Sequence, residues 1–150
     1  MTIFTHNDGG RAAAGYKGKT GDCVCRSIAI ASGRPYQEVY DRLAKGTGEQ
    51  RASSRTKKRA ASAANGINVG RKWFKDYMAE LGFEWVSTMT IGTGCTIHLK
   101  ADELPLGRLV VSVSKHYTAM IDGTINDTHD PSRGGTRCVY GYWKFKENKV

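Results

Sequence analysis

The chain has 150 residues and a mass of 16.5 kDa, enough for one hydrophobic core and too little for two. With 39% apolar residues, 25% charged residues and three prolines, its composition is neither disordered nor collagen-like. No run approaches the roughly 18 apolar residues of a membrane span, so no membrane partner is expected. Twenty-three Lys and Arg against fourteen Asp and Glu leave a net charge of +9, the balance of a protein with a polyanionic partner.

The chain begins with a polar, Gly-rich stretch over 1–20 that reads as an extended lead-in. It lacks the basic start and apolar run of a signal peptide, which predicts a cytoplasmic location. A helix is predicted from Cys23, with Asp22 as its N-cap and Val24, Ile28 and Ala31 on one face. Gly33 is a stop, and Pro35 opens a second helix whose apolar face is Tyr36, Val39, Tyr40 and Leu43.

The next segment holds most of the charge. Between Lys45 and Lys75 lie nine basic residues and one acid, Glu49, a net +8 of the total +9. Residues 45–69 are rich in Gly, Ala and Ser and read as an exposed loop or insertion. Arg51, Arg55, Lys57, Lys58 and Arg59 make it a surface for nucleic acid or an acidic protein, or else a solvated mobile segment. No aromatic residue is interleaved for base stacking.

A third helix follows, with Trp73, Phe74, Tyr77, Met78 and Leu81 at helical spacing and Gly82 as its stop. From Phe83 the period changes to that of strands. Phe83–Ser87, Arg108–Ser114, His116–Ile121, Thr124–Thr128 and Arg137–Lys146 are predicted, with Val139, Trp143 and Phe145 sharing a face of the last. Asp122-Gly123 is a two-residue hairpin turn signal. Helices before strands predict an α+β domain, with N-terminal helices packed on a C-terminal antiparallel sheet.

Four cysteines carry the candidate chemistry. Cys23, Cys25, Cys95 and Cys138 fit no common zinc spacing, disulfides are unexpected inside cells, and no metal or cofactor is predicted. Cys23 starts a helix, where the dipole favours a thiolate. Cys25 lies about 200° around the helix and is expected to pack. A thiolate needs a base, and the base needs an orienter. With Asp122-Gly123 as the turn, Ile121 pairs with Thr124 and Ala119 with Asn126. Asp127 then shares a face with His116 and lies diagonally within reach of it. His6 and His98 are poorly placed by this reading.

The pieces Gly21-Asp22-Cys23-Val24-Cys25-Arg26, His116 opening a strand, and Asn126-Asp127-Thr128 resemble the papain-like cysteine peptidase superfamily. They are most similar to small phage and bacterial proteins related to the bacteriocin-processing peptidases. Glu103-Leu104-Pro105-Leu106-Gly107-Arg108 and Tyr140-Gly141-Tyr142-Trp143 also look like the small phage-type members. The resemblance covers roughly residues 15–45 and 70–146. It implies a single papain-like domain over 1–150 and a cysteine peptidase, or related thiol acyl-transfer hydrolase, acting on a protein or peptide substrate. Cys23 would be nucleophile, His116 base and then acid, and Asp127 orienter, with Asp130 in reserve. For a phage-encoded member the location would be the host cytoplasm. Such relatives usually carry a Gln before the Cys as oxyanion donor. Tyr16-Lys17-Gly18-Lys19-Thr20 has none, which leaves Lys17 or Lys19. The alternative expectation is a non-catalytic binding protein on the same scaffold, working through the basic 45–75 surface.

Overall fold

The computed structural model describes residues 3–16, 22–49, 69–89 and 92–146. Lys17, Lys19, Arg51, Arg55, Lys57, Lys58 and Arg59 lie outside the described residues. Of the expected 45–69 loop, residues 45–49 instead continue a helix.

Three helices and six strands form an α+β fold. They are β1 (Ile3–His6), α1 (Cys23–Ser32), α2 (Tyr36–Glu49), α3 (Lys72–Leu81), β2 (Phe83–Ser87), β3 (Arg108–Val113), β4 (His116–Ile121), β5 (Thr124–Asp127) and β6 (Val139–Phe145). The strands make one sheet in the order β1-β5-β4-β3-β6-β2. The sheet is mixed, which corrects the antiparallel expectation. The lead-in supplies β1, which pairs in parallel with β5, His6 lying opposite Asp127. Its IFTH gives no alternating apolar signal, because β1 is an edge held mainly by backbone pairing, with Phe4 alone of the four half-buried against the loop-covered core.

Each helix buries the stripe that its spacing defines. Ile28 of α1, Val39 and Leu43 of α2, and Phe74, Tyr77 and Met78 of α3 pack with Val110, Tyr117 and Trp143 of the sheet. The opposite face is covered by a loop that brings Leu99 and Leu104 over Leu109, Val111, Val113, Met120 and Ile125. Burial on both faces explains why β3 reads as a continuous apolar run.

Two local features set the site. The β4–β5 hairpin pairs Ile121 with Thr124 and Ala119 with Asn126 across Asp122 and Gly123. Both turn residues have positive φ, 48° and 83°, as a type I′ turn requires. The second feature is a register shift between β3 and β6. Ser112 lies opposite Gly141 and Val113 opposite Val139, so Tyr140 is an extra residue. Such a bulge breaks the alternation of faces. Val139 therefore packs on the loop-covered face and Trp143 on the helix-covered face, correcting the reading that placed them together.

Candidate active site

The start of α1 packs against β4, and the end of the β4–β5 hairpin brings a carboxylate beside them. Cys23, His116 and Asp127 meet at this point. His116 Nε2 lies 2.7 Å from Asp127 Oδ2. That contact leaves the other ring nitrogen open on the side of Cys23, whose thiol and the ring shift each other's pKa. Asp127 is buried, and its Oδ1 accepts the Thr128 backbone N–H at 2.7 Å. Its second oxygen is thus free to face the imidazole.

The electrostatics favour a separated charge pair. Burial alone would raise the Cys23 thiol. The His116 hydrogen bond, the Tyr117 backbone N–H and the nearby positive charges of His116 and Arg26 outweigh it and hold the thiol below its usual value of 9.0. Burial would lower His116, but the hydrogen bonds to Asp127 and Cys23 and their charges win, and its pKa is pushed up to about 9. Asp127 is pulled below the ordinary carboxylate value, because its bond to His116 overcomes desolvation. A lowered thiol beside a raised imidazole shifts both groups toward their charged forms, thiolate and imidazolium.

Cys25 is fully buried on the other side of α1, with its sulfur 3.9 Å from the Tyr36 carbonyl oxygen. Burial pushes its thiol up to about 12. Two cysteines separated by one residue are therefore shifted in opposite directions.

The residues that support the trio escaped the sequence reading. Asp22 does not cap α1 with its side chain. Its buried carboxylate is taken by three side chains instead: Arg26, the Tyr36 hydroxyl and Arg11, the last at 3.0 Å. Arg26 also reaches Asp127, its Nη2 lying 3.7 Å from Oδ1. One guanidinium thus joins the acid at the helix start to the acid that holds His116. The only sequence signal was the spacing of Asp22 and Arg26 on one turn. His129, exposed beside the site, has its ring centroid 5.0 Å from that of His116. The reserve acid, Asp130, is exposed, and its Oδ1 accepts the Ser132 backbone N–H at 2.9 Å. His98 lies in a separate cluster with Cys95, which is bonded to Cys138. The disulfide corrects the expectation that these cysteines are unpaired.

Beyond Tyr117, a cleft of about 370 Å³ opens between Val69, Trp85, Tyr140 and Trp143. Its lining is mainly apolar and aromatic, unlike the charged Cys23 site.

No family model matches the chain, and no curated protein or solved structure matches it either.

Proposed function

We propose that the protein is a cysteine peptidase or related thiol acyl-transfer hydrolase of papain-like architecture. The observation that carries this reading is the buried Asp127–His116 contact beside a thiol of lowered pKa at a helix start. Cys23 thiolate attacks the substrate carbonyl carbon, and the oxyanion forms near the α1 start, where the Cys23 backbone N–H is a donor. His116 imidazolium gives its proton to the leaving amine or alcohol, and a thioester remains on Cys23. His116, now neutral, takes a proton from water, and the resulting hydroxide attacks the thioester. The acid product departs, and the thiolate–imidazolium pair is restored. Asp127 keeps the ring oriented and stays ionised throughout. The neighbouring aromatic cleft suits an apolar side chain of a protein or peptide substrate. A phage-encoded member would act in the host cytoplasm, and no helix among the described residues is long and apolar enough to cross a membrane.

The direct test is acylation by 4-nitrophenyl acetate at neutral pH, followed by mass spectrometry. An acetyl group on Cys23 that turns over is the expected result, with turnover falling as pH rises through about 9 and His116 loses its proton. Absence of an acyl-enzyme, with Cys23 alkylated by iodoacetamide no faster than an ordinary thiol, overturns the reading.

A further inference from the structure

Cys95, His98 and Cys138 form a second cluster of reactive side chains, sharing no residue with the Cys23 site. Their ligand atoms all lie within 4.8 Å of one another. Cys95 Sγ is 3.5 Å from His98 Nε2. Two ligands of one tetrahedral zinc, at Zn–S of about 2.3 Å and Zn–N of about 2.0–2.1 Å, stand roughly 3.5 Å apart. The imidazole is already turned for this task. Its Nδ1 is 3.1 Å from Glu103 Oε1, and the same oxygen accepts the His98 backbone N–H. Glu103 is fixed in turn by Lys100, 3.0 Å from its other oxygen. A carboxylate on one imidazole nitrogen, with the other facing sulfur, is the arrangement that orients zinc-bound histidines.

The backbone supports the cluster. His98 bridges Cys138, the Leu99 N–H reaches the Arg137 oxygen at 2.8 Å, and the Val139 N–H reaches the Ile97 oxygen at 2.8 Å. The loop that covers one sheet face is thereby pinned to the start of β6, where Cys95 and Cys138 form a disulfide.

We infer that Cys95, His98 and Cys138 are a zinc site in the reduced protein, so that one staple has two forms, a disulfide and a metal clip. A dithiol reductant gives two electrons and two protons to the Cys95–Cys138 bond and becomes its own cyclic disulfide. The two sulfurs then separate to the roughly 3.8 Å kept by two zinc thiolates. Zn²⁺ displaces the two thiol protons, His98 Nε2 gives the third ligand, and water takes the fourth position. Under oxidising conditions the disulfide holds the same loop without metal.

The test uses the full chain carrying Cys23→Ala and His129→Ala, which removes the free thiol beside His116 and breaks the His116–Asp127–His129 group, the other set of side chains placed to hold a metal among the described residues. Protein reduced with dithiothreitol and desalted anaerobically is titrated with Zn²⁺, bound metal is measured by mass spectrometry, and folding is followed by circular dichroism. One equivalent in the reduced form and none in the oxidised form is expected. Cobalt should give a thiolate charge-transfer band in the same preparation. His98→Ala and Cys138→Ser should abolish binding. His98→Cys should retain it, and Glu103→Gln should weaken it about 10–100-fold. Reduced, folded protein that binds no zinc, or binding that survives both His98→Ala and Cys138→Ser, overturns the assignment.

Discussion

The two cysteine–histidine clusters use the same side chains under different conditions. At Cys23 the thiol has no sulfur partner, sits at a helix start, and faces an imidazole made basic by a buried carboxylate. At Cys95 the sulfur is exposed, already bonded to Cys138, and faces an imidazole whose carboxylate lies near the surface. The first arrangement favours charge separation between thiol and imidazole. The second joins two chain segments. Burial and the second partner of each histidine, not the presence of Cys and His, separate a candidate nucleophile from a staple.

The largest expected effect comes from removing the nucleophile. Cys23→Ala should lower esterase turnover by at least about 10⁴-fold, as loss of a triad nucleophile does elsewhere. Cys25→Ala should leave it unchanged, and equal losses in both variants would erase the difference between the two thiols. Asp127→Asn follows. It removes the charge that orients and raises His116, so turnover should fall by about 10²–10⁴-fold and its decline should begin below pH 9. An unmoved profile would take Asp127 out of the site.

Next comes the buried guanidinium. Arg26→Met strips a cation from Asp22 and Asp127, both buried, and should destabilise the fold by about 3–5 kcal/mol in chemical denaturation. The staple ranks below it. Replacing both Cys95 and Cys138 by Ser opens a link across 43 residues and should cost about 2–4 kcal/mol, with Cys23 alkylation unchanged. A change in Cys23 reactivity would show that the clusters are coupled.

The smallest expected effect is in stability against pH. His116 is raised from 6.5 to about 9, so its contribution is complete below pH 6.5 and lost as pH rises through 9. Cys23 is lowered from 9.0, so its contribution is complete above pH 9 and lost as pH falls through its depressed value. Between these limits the two slopes oppose each other, and the wild type should vary less with pH than the His116 slope alone would give. In Cys23→Ala only the His116 slope remains, and stability should fall with rising pH above 6.5. Parallel curves for the two proteins would argue against the ion pair.

Local pattern made much of the architecture legible. The helical spacing of Val39 and Leu43, and of Phe74, Tyr77 and Met78, gives faces that the core buries. Asp122-Gly123 sets the hairpin register, because a two-residue turn admits one pairing of its flanking strands. That register carries Asp127 to the side of His116, and the two side chains meet.

Long-range contacts decided the rest. β1 became a strand only through Asp127 and its neighbours, more than 100 residues away in the chain. The extra residue Tyr140 turned Val139 and Trp143 to opposite faces, an effect of pairing that alternation along β6 does not announce. Cys95 and Cys138 meet because their loops cross over one sheet face. Asp22 had the sequence of a cap, but tertiary donors compete with the backbone for its carboxylate, and they win. The amphipathic elements, the hairpin and the position of Cys23 at a helix start follow from local sequence, since each depends on residues within a few turns. The lowered pKa of that thiol and the pairing of the other two cysteines come from the folded packing, since both depend on burial and on partners distant in the chain.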